Sequence, residues 1–485
     1  MRSHLPVRRS PRRLALVAAL ALLPFTIAAQ APDRSKPPAA GPVPSLKVPP
    51  IEKRALSNGL PVWIVEMHEV PVVDVTMIVK SGATADPAGK YGVASFTAAM
   101  LDEGAGTRDA LALADAIDFL GATLTTGSGF DASTVRLHSL ASKLDAALPI
   151  MADVVRRPTF PQADMDRLRT ERLTTLLQVR DNPQQLAAAA YARILFGEQH
   201  RYGTGATGTE SVNKAMTVAD LRQFYTSHYR PQNAHLLVVG DVTVASILPK
   251  LERAFGTWTV AGPVAHPALP AVPAPTSRRI FLVDKAGAAQ SQIRMGTVGV
   301  ARSTPDYHAL DVLNTLLGGS FTSRLNMNLR EEHGYSYGAG SRFDMRVNAG
   351  PFFAAAGVQT DKTVESLTEF FKEVDGLRAP VPDDELSRGK NLEALSFPGT
   401  FETTGDMAGQ LADLVIYNLP ETFFNDYVPK IQAVTAADLQ RNANRFLQSQ
   451  AFVVVVAGDL AKIEKPIRDA NFGVVTVLKA DDLLK

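Results

Sequence analysis

The sequence predicts an α+β protein of two similar halves, each an antiparallel sheet packed against helices. Three observations predict it. Residues 217–241, TVADLRQFYTSHYRPQNAHLLVVGD, align without a gap at an offset of 218 with residues 435–459, TAADLQRNANRFLQSQAFVVVVAGD. A weaker echo couples 160–173 (FPQADMDRLRTERL) with 381–395 (VPDDELSRGKNLEAL) at nearly the same offset. Each half also opens with strands in sequence pairs, 60–82 and 278–300, and then runs into helical stretches. Two matches at one offset argue for duplication, and a period of that length excludes a solenoid.

The elements follow in chain order. Residues 1–31 carry five arginines and no acid, then an unbroken apolar run from Leu14 to Leu23 and a small-residue end at Ala29-Gln30-Ala31. That pattern predicts a secretory signal peptide, too short to span a bilayer, and hence a periplasmic or secreted protein. An Arg-rich organellar transit peptide is the alternative, which an uninterrupted apolar core suits less well. Losing five positive charges takes the net charge from +1 to about −4. Residues 32–50 read as an extended Pro-rich lead-in. No later apolar run reaches eighteen residues, so no integral membrane segment is expected after signal removal. A first domain is expected over 51–260, a Pro/Ala-rich linker over 261–277, and a second domain over 278–485. Within the first, 107–121 is expected to be helical, with Leu111, Leu113, Ile117 and Leu120 near 3.6 spacing. In both copies of the repeat, Thr-x-x-Asp opens a helix with a capping box, and a hydrophobic strand ending at Gly-Asp follows.

Composition narrows the chemistry. Lys+Arg 50 against Asp+Glu 49 leaves no basic field for nucleic acid. With no cysteine there is no disulfide, thiolate metal site or thiol nucleophile, which is compatible with an oxidising compartment. No two of the nine histidines lie three or four apart, so no helix offers a His pair to one metal. Gly334-Tyr335-Ser336-Tyr337-Gly338 matches G-x-S-x-G, but a helix precedes it and a strand follows. That is the reverse of a nucleophile elbow, and no histidine follows His333.

Two segments carry a family resemblance. Residues 91–101, YGVASFTAAML, resemble the signature helix of the pitrilysin/insulinase (M16) family of zinc metallopeptidases, whose pattern is Gly-x-Ala-His-Phe-x-Glu-His-Met. Gly92, Ala94, Phe96 and Met100 match, while Ser95 and Ala99 stand at the two histidines and Ala98 at the glutamate. Further on, Glu171 fits the family's outer-shell acid, but Gln178 holds the place of the third zinc ligand. A remnant Glu171, hydrogen-bonded in the domain interior, is the expectation there.

In the second half, Gly318-Gly319-Ser320 lead through Thr322-Ser323-Arg324-Leu325 to Leu329-Arg330-Glu331-Glu332-His333-Gly334-Tyr335-Ser336-Tyr337. The resemblance makes Gly318, Gly319 and Ser320 substrate-binding candidates. It makes Arg330 and Tyr337 the pair that holds a scissile carbonyl and its developing oxyanion. Locally, Arg330 is expected in the last turn of a helix running from Ser320 to His333, Gly334 as its left-handed stop, and Tyr337 on the next strand. Period-two alternation makes Tyr335 the substitute. The spacing also admits a structural reading, with Arg330 pairing to Glu331 and Tyr337 packing as a strand aromatic.

The resemblance therefore implies half of a clamshell that binds no cofactor itself. It implies a heterodimer, with Zn2+ in a sister subunit whose active site this chain completes for cleavage of peptides. The alternative is a structural or peptide-binding scaffold subunit with no part in catalysis.

Overall fold

The computed structural model describes Gly41 and residues 46–260, 262–265 and 268–484 of the chain. The expected signal peptide and most of the Pro-rich lead-in lie outside the described residues. Of the lead-in, Leu46 and Val48 pack against the core of the second half.

Two six-stranded sheets carry the fold. The first holds β1 (Glu52–Ala55), β2 (Pro61–Glu66), β3 (Val72–Val79), β4 (Thr123–Ser128), β5 (Ser133–Leu140) and β6 (Ala234–Gly240), in the order β1-β2-β6-β3-β5-β4. The second holds β7 (Arg279–Asp284), β8 (Gln290–Val298), β9 (Ser336–Phe343), β10 (Pro351–Gln359), β11 (Val453–Gly458) and β12 (Val474–Leu478), in the order β9-β10-β8-β11-β7-β12. Five strands correspond one to one, β2-β6-β3-β5-β4 with β7-β11-β8-β10-β9, which is the duplication seen in three dimensions. Most pairs are antiparallel as expected, but β2 pairs in parallel with β6, and β11 and β12 both pair in parallel with β7. Parallel neighbours need long crossovers, and here nearly a whole half lies between them.

Both copies of the repeat fold as their sequence asks. Thr217 and Thr435 cap their helices, Val218–His228 and Ala436–Phe446, in full capping boxes with Asp220 and Asp438. Strands β6 and β11 are buried on both faces, which is why they read as continuous apolar runs rather than alternating ones. On β6, Leu236 and Val238 face the first-half core, while Leu237 and Val239 face a core shared with the second half.

That shared packing arises from an exchange of helices. Pro183–Phe196, from the first half, lies on β8 and β11 of the second sheet, and Thr404–Ile416, from the second half, lies on β3 and β6 of the first. The helix expected at 107–121 forms over Ala110–Phe119, started by Asp109, whose carboxylate accepts from Ala112 N at 2.9 Å. Leu113 and Ile117 are buried as expected, but Leu111 is exposed, because it points away from the sheet-facing side.

Candidate functional site

The helix that resembles the zinc signature spans Val93–Ala99. Its start is set by Gly92, whose φ of +106° and approach to Thr207 O leave no room for a side chain; a Cβ there would sit 2.3 Å from that oxygen. The carboxylate of Asp86 accepts from Gly92 N at 2.7 Å and Ala94 N at 2.8 Å, a favourable negative charge at the positive end of the helix. Arg201 closes the arrangement with Nη2 2.8 Å and Nε 3.0 Å from Asp86 Oδ2.

Ser95 Oγ lies 2.9 Å from Ala206 O and 3.0 Å from Gly92 O, and accepts from Arg172 Nη2 at 2.9 Å. Arg172 also donates to Asn213 Oδ1 at 2.8 Å and Thr207 O at 2.9 Å, and its guanidinium lies 4.6 Å over the Phe96 ring. Burial lowers its pKa to about 10, so it stays protonated near neutrality. The hydroxyl of Ser95 is thus fully engaged beside a fixed cation. Ala98 and Ala99 carry no donor atom, and Gln178 is exposed on the Gln162–Asp181 helix. Among the described residues no group of three His, Asp or Glu is placed to hold a metal ion. These residues do not fit the family's zinc. Glu171 is a correction: instead of lying in the interior it is 58% exposed and pairs with Arg167 at 2.9 Å, because its turn of the helix faces solvent.

In the second half the expected helix is shorter and wound differently. It starts at Arg324, not Ser320, and Met327–Glu332 forms a π-helical turn that carries Arg330. Gly334 takes φ +65° as the expected left-handed stop, and Ser336 opens β9. The β9–β10 register runs Ser336↔Val358 and then Ala339↔Ala356, so Tyr337-Gly338 form a β-bulge. Ser336 Oγ fixes it, accepting from Gly338 N at 3.0 Å and lying 2.7 Å from Gly338 O. Tyr337, on this bulge at the sheet edge, is 90% exposed.

Arg330 lies 4.9 Å from the Phe321 ring, with Nε 3.2 Å from Glu331 Oε1. Tyr335 is not equivalent to Tyr337. It precedes the strand, stacks on His333 at 4.9 Å and packs against the core, because the regular alternation that would align the two tyrosines is broken here.

Gly318 and Gly319 belong to a second π-helical turn, Thr315–Gly319. A Cβ on Gly318 would meet Ser341 N at 2.3 Å, so β9 is seated directly on this turn. Ser320 Oγ donates to Thr315 O at 3.0 Å. Both glycines line a cleft of about 490 Å³ together with Arg302, Asn314, Ser341 and Tyr417.

Asp311, on the same wall, belongs to a cluster that sequence reasoning missed. Tyr427 Oη is 2.6 Å from Asp311 Oδ2 and 3.1 Å from Glu393 Oε2, and Thr315 donates to Glu393. One phenol has one proton, so it donates to only one of the two carboxylates at a time. Burial, with Glu393 nearby, pushes the Asp311 carboxyl up to about 7. The available signal was an acid inside the apolar run Leu310-Asp311-Val312-Leu313.

Fold and site together define a duplicated peptidase-type architecture whose metal helix has lost its donors. Residues 62–203 match the family model for insulinase (peptidase family M16), and residues 215–393 match the model for the peptidase M16 inactive domain. The chain belongs to the M16 family. It is 24% identical over 383 residues to an uncharacterized zinc protease of Streptomyces coelicolor, covering 78% of this chain and 83% of that protein. Among solved structures it is similar to a peptidase M16 inactive domain from Pseudomonas fluorescens. The TM-score is 0.78 and the identity 27%, over 84% of this chain and 98% of that one. The periplasmic protease PqqL of Escherichia coli shares the fold at TM-score 0.71 and 15% identity, over 88% of this chain and 51% of that one.

Proposed function

We propose that this chain is the non-zinc-binding subunit of an exported heterodimeric M16 metallopeptidase, with units 51–260 and 278–485 joined by the 261–277 linker. A sister subunit supplies Zn2+, which would activate the attacking water. This chain faces it with Arg330 and Tyr337, which donate to the scissile carbonyl as its oxygen becomes anionic. The observation that carries the reading is Tyr337, held out on a bulge at 90% exposure while Ser95, Ala98, Ala99 and Gln178 offer no metal site of this chain's own. Arg is a permanent donor and Tyr a neutral one, and a donor fixed on an oxyanion contributes about 3–4 kcal/mol. Gly318, Gly319 and Ser320 would contact the substrate. Edge strand β4, packed next to the Val93–Ala99 helix, offers free main-chain groups to an extended peptide. The export-type leader, and the likeness of fold to a periplasmic protease, support a periplasmic or secreted location.

The test mixes the purified chain with a zinc-motif sister chain, ideally one encoded beside it, and follows cleavage of an unstructured peptide. The mixture is expected to exceed the sister alone; equal rates would sink the proposal. A second reading, a scaffold subunit with no part in catalysis, draws on the 3.2 Å contact of Arg330 with Glu331. It predicts that Arg330→Ala leaves the rate of the mixture unchanged.

A further inference from the structure

The Pro183–Phe196 helix and the second sheet enclose, with the 202–209 loop, a cavity of about 400 Å³, within the size range of small-molecule sites. Its walls are mainly apolar, with Phe130, Leu176, Val179, Ala189, Ala192 and Leu483 among them. Three arginines line this wall, Arg193 from the helix and Arg294 and Arg346 from the second half. Arg294 comes from the middle of β8, in register with Ala355 on one side and Val455 on the other, so it sits inside the sheet and not at an edge. Its guanidinium lies 3.6 Å over the Phe353 ring and 5.7 Å from the Tyr191 ring.

Arg294 has no anion. Its Nε is buried without a hydrogen-bond partner, and among the described residues no carboxylate lies within ion-pair distance of the group. Asp344, the acid on the same wall, is taken up by Arg346, whose Nε is 3.1 Å from Asp344 Oδ2. Arg346 stacks on Phe130 at 3.8 Å and still leaves Nη1 buried and unpartnered. Thr204 Oγ1 is buried without a partner on the same lining. Burial also lowers the Arg294 pKa.

A desolvated cation is costly unless paired, and stacking on aromatic faces offsets only part of that cost. Buried polar atoms without partners are uncommon, and here three of them, Arg294 Nε, Arg346 Nη1 and Thr204 Oγ1, belong to the lining of one cavity. Of the three arginines on the wall, Arg193 is paired with Glu198 at 2.8 Å and Arg346 with Asp344, which leaves the charge of Arg294 for a monoanion. Its apolar remainder suits a hydrocarbon or aromatic body rather than a phosphate, which would bring more charge than the wall neutralises.

We propose that this cavity binds a small carboxylate with an apolar body, its carboxylate on the Arg294 guanidinium and its body against Leu176, Val179 and Ala189. The guanidinium fork matches a carboxylate in geometry as well as charge. Such a ligand would touch both halves, clamping the exchanged Pro183–Phe196 helix to the second sheet. The site does not depend on the subunit role proposed above.

The test uses the full chain and three probes that share one tail: decanoate, decanol and decylamine. Calorimetric titration is expected to show decanoate binding once per chain and at least roughly tenfold tighter than either other probe. Arg294→Met, which keeps volume and removes charge, is expected to abolish that preference, and Ala189→Phe, which fills the cavity, to abolish decanoate binding. Equal affinity for decanoate and decanol in the unmodified chain overturns the proposal without any variant. So does a preference that survives Arg294→Met, or decanoate binding undiminished by Ala189→Phe.

Discussion

Tyr191 Oη donates to the carbonyl oxygen of Phe352 at 2.6 Å, joining a helix of the first half to the second sheet. The opposite exchange has its own bond: Thr404 Oγ1 donates to Asp74 Oδ2 at 2.5 Å, joining a second-half helix to β3. Each half thus supplies a helix that the other's sheet needs for burial. The two halves form one compact unit, and the position of Arg330 relative to the first half is set by this exchange as well as by the linker.

Tyr191→Phe leaves the Phe352 carbonyl without its buried donor and is expected to cost about 1–3 kcal/mol, read as a lower urea midpoint. Gly296→Ala tests the same seam from the other side. A Cβ there would lie 2.0 Å from Phe352 O and 2.7 Å from Tyr191 Oη, so this variant is expected to destabilise more than Tyr191→Phe. A milder Gly296→Ala would show that the seam yields.

The buried Arg201–Asp86 pair ties the first-half helix start to the 201–205 loop. Arg201→Met strands the Asp86 carboxylate and is expected to cost about 3–5 kcal/mol in urea unfolding. Adding Asp86→Asn should recover part of that loss, because the stranded charge goes. A double variant no better than the single one would contradict the charge argument.

Much of the fold is legible in sequence because duplication prints it twice. The Thr217/Asp220 and Thr435/Asp438 capping boxes and the runs Leu236–Val239 and Val453–Val456 are local signals with local causes. The positions Ser95, Ala98, Ala99 and Gln178 are legible as lacking the family's ligands because the absence of an imidazole or carboxylate needs no structure to see. What sequence could not supply is long-range. The exchange of helices depends on which sheet each one meets. The solvent-facing turn of Glu171 depends on where its helix packs. The bulge at Tyr337-Gly338 is nearer in sequence, but it depends on the register of β9 with β10, which the residue pattern does not fix. The Asp311, Glu393 and Tyr427 cluster joins three helices that no motif connects.

Metal content follows from the donor inventory. Dialysed against a low concentration of Zn2+, the chain alone is expected to retain well under one ion per molecule by elemental analysis. One tightly held zinc per chain would refute the account of Ser95, Ala98, Ala99 and Gln178.

Tyr337→Phe separates chemistry from stability. The side chain is almost wholly exposed, so its hydroxyl is expected to shift the unfolding free energy by less than about 0.5 kcal/mol. If Tyr337 donates to the oxyanion, kcat of the mixed enzyme should fall roughly 10²-fold or more. An unchanged kcat would remove Tyr337 from the site, and its bulge would then need another explanation.

The raised carboxyl of Asp311, buried beside Glu393 and Tyr427, makes stability depend on pH in a defined direction. Asp311 titrates near 7 in the folded chain and in the ordinary carboxylate range, about 3.9, when unfolded. Between those values the native state holds a proton that the unfolded state has lost. Stability from this group is therefore complete below about pH 4, declines as pH rises, and is gone above about pH 7. Asp311→Asn stays neutral at every pH and should lack this component. The urea midpoint of the unmodified chain minus that of Asp311→Asn is expected to fall from pH 5 to pH 7 and then level off. A difference that stays flat over that interval would mean that Asp311 is already ionised in the folded chain.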